Sequence, residues 1–272
     1  MRAHYRVSVW GVPHDVRVLA EDAKGTPLLL RNGVGASDSV LEHLASHLPG
    51  RPILIVEPGQ LGLPLHLKAL LMAAAVRKAG FEEIDVLGIS YGGAEAQQLA
   101  LTAAVSGRLP VPRVRRAVLV STGPNAVPGK PAALLGLTAV SVLPRLQKRL
   151  GRVIHGDDAD HAEALALLGD DRASVYKVAS NVASLAGWSS LPFLPLLKLP
   201  IKVIHGDHDR LVPVVNAKLM ARLLPDCRLE LWPGEGHLLV LTRTAEVGES
   251  VLDFLDDAAA GTAGEPVSEL AA

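Results

Sequence analysis

The stretch that most limits what this chain can fold into runs from residue 84 to residue 93, Ile-Asp-Val-Leu-Gly-Ile-Ser-Tyr-Gly-Gly. An apolar run stops at one serine held between Gly88 and Gly92, and an alanine-rich segment follows. The pattern predicts a strand over 84–89, a tight turn at Ser90 and a helix over 93–105. A serine on such a turn has a strained backbone, and side chains two residues to either side would strike the strand or the helix. Glycine is therefore required at both flanks. The first N–H groups of the helix, and the positive end of its dipole, then face any negative charge that develops beside the hydroxyl. Ser90 is thus a candidate nucleophile. An idle serine in a glycine-rich turn would look the same locally, so the decision rests on partners elsewhere in the chain.

The surrounding rhythm is that of alternating strands and helices. Residues 5–10 and 16–20 alternate as two antiparallel strands turned at Gly11-Val12-Pro13. Short apolar runs at 27–30, 52–56, 115–120 and 201–204 read as strands buried on both faces, and a further strand falls near 228–232. Between them lie helical segments near 38–48 (capped by Ser37 or Asp38), 65–79 (ended by Gly80), 214–224 and 245–255. This order predicts an α/β fold, a mostly parallel sheet with helices on both faces. The rhythm breaks over 125–199, which reads as helices near 132–150, 160–168 and 171–186 before the proline-spaced segment at 191–195. An all-helical insertion there is expected to act as a lid over the carboxyl edge of the sheet, where open α/β sheets bind ligands. Residues 1–124 and 200–258 form the expected core, and 259–272, rich in small residues, an expected disordered tail.

A serine nucleophile needs a general base, and the base needs an orienting acid. In this class of fold they follow the serine in the order acid, then histidine. His205-Gly206-Asp207-His208-Asp209 leaves a buried strand at the active edge. Asp209 is the expected acid, with Asp207 tying down the turn. Gly234-Glu235-Gly236-His237 follows the last strand, and His237 is the expected base. The loop Asn32-Gly33-Val34-Gly35 is expected to border Ser90, with the N–H groups of Val34 and Tyr91 forming an oxyanion hole and Gly33 allowing close approach. Trp188 and Phe193, in a chain with 3% aromatic residues, are candidates for a pocket wall or for lid packing.

Other functions are disfavoured by composition. A formal charge of −1 offers no electrostatic footprint for nucleic acid or an anionic membrane surface. The longest apolar stretch, 132–143, is interrupted by polar residues and is too short to span a bilayer. The single cysteine, Cys227, is expected to be a buried filler and fits a reducing, cytoplasmic setting. Two segments mimic metal sites, 155–161 and 205–209, but short Asp-rich loops cap helices more often than they converge on an ion. No metal is expected.

With Ser90, Asp209, His237 and the Asn32-Gly33 loop in place, the chain resembles the α/β-hydrolase superfamily over 5–255. The segments around Asn32 to Ala36, Asp85 to Gly93, Ala186 to Pro192 and Gly236 to Leu238 are similar to intracellular medium-chain-length poly(3-hydroxyalkanoate) depolymerases. That resemblance implies an eight-stranded hydrolase sheet and hydrolysis of 3-hydroxyacyl esters by a Ser-His-Asp triad, without a cofactor. The substrate would be a small-molecule or polymeric ester. The chain departs from the family at 57–64, where Glu-Pro-Gly-Gln-Leu-Gly-Leu-Pro replaces the usual Asp-x-Pro-Gly-x-Gly-x-Ser. A small-molecule esterase or thioesterase, a perhydrolase-type enzyme, and a non-catalytic ligand-binding domain stay open as alternatives.

Overall fold

A computed structural model describes residues 2–34, 36–57, 62–105, 107, 109–125 and 175–257. Eight strands form one sheet in the order β1-β2-β4-β3-β5-β6-β7-β8. β1 (Arg2–Val9) and β2 (Val12–Leu19) are antiparallel to each other, and β2 is antiparallel to β4 (Ile53–Glu57). From β4 onward, β3 (Leu28–Arg31), β5 (Glu83–Ile89), β6 (Arg113–Val120), β7 (Ile201–Gly206) and β8 (Cys227–Trp232) pair in parallel. The α/β architecture expected from the sequence is the one observed.

Period-two alternation in the central strands sends neighbouring residues to opposite faces, and each face has its own core. Leu29, Leu54, Val86, Leu119 and Val203 pack with α2 (Leu65–Lys78), α3 (Tyr91–Val105) and α5 (Val215–Leu223). Leu30, Ile55, Leu87, Val120 and Ile204 pack with α1 (Asp38–Ser46), the short α6 (Leu239–Thr242) and α7 (Thr244–Asp256). Between β6 and β7 the chain carries α4 (Val175–Ser184) and a 3-10 turn (Leu191–Leu196).

Several local expectations need correction. The β1–β2 turn is Trp10-Gly11, both with positive φ (48° and 84°), rather than Gly11-Val12-Pro13. A two-residue turn of this hand matches the twist of the strands, and it leaves Trp10 64% exposed instead of inside β1. Ser37 occupies the N-cap of α1 but makes no side-chain cap bond. Its hydroxyl pairs with Ser39, and the Asp38 carboxylate is taken by Arg17 of β2. Cys227 is half-buried, and burial, then the Asp226 charge, pushes its thiol up to about 12. The proposed helices near 132–150 and 160–168, the 155–161 cluster, the 259–272 tail and Gly35 lie outside the described residues, as do residues 58–61 of the atypical 57–64 segment. Among the described residues no helix is long and apolar enough to cross a membrane.

Candidate active site

Strand register brings the functional loops to one level. Arg31 pairs with Gly88, Ile89 with Val120, Val120 with Ile204, and Gly206 with Trp232, so β3, β5, β6, β7 and β8 release their chains side by side. Ser90 leaves β5 with φ 54°. Its N–H donates to Val120 O at 2.9 Å, and Thr122 Oγ1 donates to Ser90 O at 2.7 Å. These contacts hold a backbone conformation that a non-glycine residue rarely adopts.

The glycines around it are demanded by contact. A Cβ on Gly88 would lie 2.2 Å from Gly92 O, and one on Gly92 would lie 2.4 Å from Arg31 C and O. A Cβ on Gly93 would meet the Thr122 side chain at 2.5 Å. The turn therefore wedges β5 and α3 against the ends of β3 and β6. Gly206 plays the same part on the other side, since a Cβ there would meet Glu235 O at 2.2 Å in the loop that carries His237. Sequence reasoning found Gly88 and Gly92 and missed Gly206, whose partner is distant in the chain.

Ser90, His237 and Asp209 come together. Ser90 Oγ and His237 Nε2 are 2.9 Å apart, and His237 Nδ1 lies 2.8 Å from Asp209 Oδ2. The second carboxylate oxygen of Asp209 accepts N–H bonds from Leu211 at 2.9 Å and Val212 at 2.8 Å. Burial alone would raise the Asp209 pKa. The His237 charge and hydrogen bond, aided by His205 and the Val212 N–H, more than reverse this and hold it below the ordinary carboxylate range. Asp207 instead accepts the Gly234 N–H at 2.7 Å and ties the β7 loop to the β8 loop.

Gly33 lies directly against the serine: a Cβ there would be 3.5 Å from Ser90 Cβ and 4.0 Å from Ser90 Oγ. The loop is braced from within, because Asn32 Oδ1 accepts the Gly33 N–H at 2.9 Å and Asn32 Nδ2 donates to Ser37 O at 2.7 Å. The N–H groups of Val34 and of Tyr91, the latter first in α3, make no hydrogen bond to any described residue. Trp188 packs in a small apolar cluster with Leu65, Tyr91, Ala94, Val34 and Leu185, and its Nε1 donates to Gln98 Oε1 at 3.0 Å. Phe193 stands 49% exposed on the 3-10 turn and belongs to none of the apolar clusters of the described residues.

Two buried networks support this floor and have no local sequence signal. Arg31 Nε donates to Glu95 Oε2 at 2.8 Å, and its Nη1 donates to Val56 O, which joins β3 to α3 behind Gly92. Lys68 of α2 donates to Tyr91 OH (3.4 Å), Ser180 Oγ (3.3 Å) and Asn181 Oδ1 (3.2 Å), and Tyr91 OH meets Ser184 Oγ at 2.9 Å. Burial, then the Glu95 charge, pushes the Tyr91 phenol up, so it stays protonated. Among the described residues no three His, Cys, Asp or Glu side chains are grouped to hold a metal ion.

The arrangement is a polarised hydroxyl, an imidazole oriented by a buried carboxylate, and two unengaged N–H groups nearby. Known proteins resemble the chain in sequence and in fold. The chain is 29% identical over 256 residues to a poly(3-hydroxyalkanoate) depolymerase of Ectopseudomonas oleovorans, covering 85% of this chain and 84% of that protein. Its fold is similar to that of a bromoperoxidase from Bacillus anthracis (TM-score 0.76, 18% identity, 94% of this chain and 100% of that chain). It is also similar to that of a thermophilic esterase from Thermogutta terrifontis (TM-score 0.75, 18% identity, 93% and 98%). The sequence pattern of the Alpha/beta hydrolase family matches residues 8–249, and the chain belongs to that family.

Proposed function

We propose that the chain is a carboxylic ester hydrolase with Ser90 as nucleophile, His237 as general base and acid, and Asp209 as the residue that orients it. The observation that carries this reading is the chain of contacts from Ser90 Oγ to His237 (2.9 Å) to Asp209 (2.8 Å) on a serine with φ 54°. Ser90 Oγ attacks the acyl carbonyl while its proton passes to His237 Nε2. The Asp209 carboxylate keeps Nδ1 protonated and stabilises the imidazolium. Negative charge on the carbonyl oxygen is held by the Tyr91 and Val34 N–H groups. His237 then returns the proton to the leaving alcohol as the ester bond breaks, leaving an acyl-enzyme. A water attacks it by the same route, releasing the acid and restoring Ser90.

The proposed substrates are medium-chain apolar acyl esters, including 3-hydroxyacyl esters. The apolar cluster of Val34, Leu65, Ala94, Leu185 and Trp188 around Tyr91 supports an apolar acyl group, and the depolymerase relative supports the 3-hydroxyacyl class. The described part of the chain between β6 and β7 supplies Leu185 and Trp188 to this cluster. Each methylene buried in such a pocket stabilises the complex by about 0.8 kcal/mol. The test is a series of p-nitrophenyl esters with two to eight acyl carbons, run beside 3-hydroxyoctanoate oligomers, with fluorophosphonate labelling of a separate sample. We expect labelling at Ser90, loss of activity in Ser90→Ala, and kcat/KM rising with chain length. Absence of labelling in folded protein would favour a ligand-binding domain. Efficiency that peaks at acetate would favour a small-ester hydrolase.

A further inference from the structure

His205 stands where the sheet calls for an apolar side chain. On β7, alternation assigns Ile201 and Val203 to the core beneath α2, α3 and α5, and position 205 is next on that face. The side chain is completely buried. A buried polar group in a strand interior is retained only with partners. Its Nε2 lies 2.8 Å from Val212 O and 3.4 Å from Asp209 Oδ2. Both neighbours are acceptors, so Nε2 carries the proton, and it donates to Val212 O. Nδ1 is buried with no hydrogen-bond partner among the described residues.

We propose that His205 is a positioning residue for ester hydrolysis, fastening the Asp209–Val212 turn to β7 and setting the carboxylate oxygen that orients His237. The proposal rests on the Ser90-His237-Asp209 reading above. The turn has two ties. Asp209 Oδ1 accepts the Leu211 and Val212 N–H groups, which fixes one carboxylate oxygen within the turn itself. His205 supplies the tie from outside, from its N–H to the Val212 carbonyl, and its Nε2 lies 3.4 Å from Oδ2, the oxygen that meets His237. Without it the carboxylate is free to rotate about its fixed oxygen, and the 2.8 Å contact to His237 Nδ1 loosens. The titratable groups that bear on His205 are Asp209 and His237. Burial dominates and holds the ring below the ordinary histidine range, so it stays neutral as a donor at neutral pH.

The test compares His205→Leu, which removes the donor, with His205→Gln, whose side-chain N–H reaches the position of Nε2. Both are assayed on a p-nitrophenyl ester at neutral pH. For His205→Leu we expect kcat to fall by roughly tenfold to a hundredfold with KM within about twofold, since a small misplacement of a catalytic group costs on that order. His205→Gln should recover most of kcat. Should the leucine variant fail to fold, His205→Asn takes its place, since it is polar but places its donor at the Nδ1 end. A folded variant without the Nε2 donor that keeps the parent kcat overturns the proposal. Equal losses in the glutamine variant and its comparator also overturn it and make His205 a core residue. Activity persisting in Ser90→Ala would instead overturn the triad reading, so the two failures are distinct.

Discussion

Replacing Gly33 by alanine should separate folding from catalysis at one atom. The Gly33 backbone lies outside the left-handed region, and a Cβ there meets Ser90 Cβ at 3.5 Å, an ordinary van der Waals contact. The folded state should accept the methyl group. Alanine also narrows the unfolded ensemble, an effect worth about 0.4–1 kcal/mol at compatible sites, so the melting temperature should stay level or rise by up to about 3 °C. The same methyl sits 4.0 Å from Ser90 Oγ, on the residue next to the Val34 N–H. In the proposed reaction a carbonyl carbon comes within about 3–3.5 Å of Oγ, and its oxygen lodges against that N–H. Shutting the oxygen away from one donor costs about 10²–10³ in kcat. Gly88→Ala is the contrast: its Cβ would lie 2.2 Å from Gly92 O, the turn must move, and stability should fall by about 1–3 kcal/mol along with activity. The assays are thermal unfolding and kcat/KM on an aryl ester. A folded Gly33→Ala protein within about threefold of parental kcat/KM would refute the placement of the oxyanion between Ser90 and Val34.

Three further outcomes are expected. Because φ at residue 90 is 54°, Ser90→Gly should be more stable in urea than Ser90→Ala by about 1 kcal/mol, with neither variant active. Arg31→Met leaves Glu95, 2% exposed, without its ion-pair partner. Urea unfolding should show a loss of about 3–5 kcal/mol, and adding Glu95→Gln should recover part of it. His205 and Asp209 both have lowered folded-state pKa values, chiefly from burial for His205 and from His237 overcoming burial for Asp209. As pH falls through about 6.5, the unfolded chain protonates position 205 before the native state does, so the native state loses stability. His205→Gln should lack that loss, and urea titrations between about pH 7 and 5 should show the parent losing stability relative to the variant. The Asp209 contribution is present above about 3.9 and disappears only as pH falls through its depressed value, in a separate window.

The strand–Ser90–helix turn was legible in the sequence because its signal is local. Gly88 and Gly92 must be glycine whatever the rest of the chain does, since the clash is between residues four apart or with the strand the turn must pass. The short apolar runs likewise marked strands buried on both faces, and chain order together with the loops that follow β7 and β8 pointed to Asp209 and His237. What stayed hidden depends on residues that meet only in the folded sheet. The Trp10-Gly11 turn was misplaced by proline at 13, which tolerates a strand position beside a hairpin as well as a turn. Arg31 with Glu95 is a pair 64 positions apart, and nothing near either residue announces the other. His205 reads in the sequence as one more histidine in an Asp-rich loop. Burial, the Val212 carbonyl and the neighbouring Asp209 carboxylate give it meaning, and all three exist only once β7 lies in the sheet. Local sterics and periodicity are written into neighbouring residues. Which distant polar groups are buried together is decided by tertiary packing, because the energy that selects a partner appears only when water is removed from both.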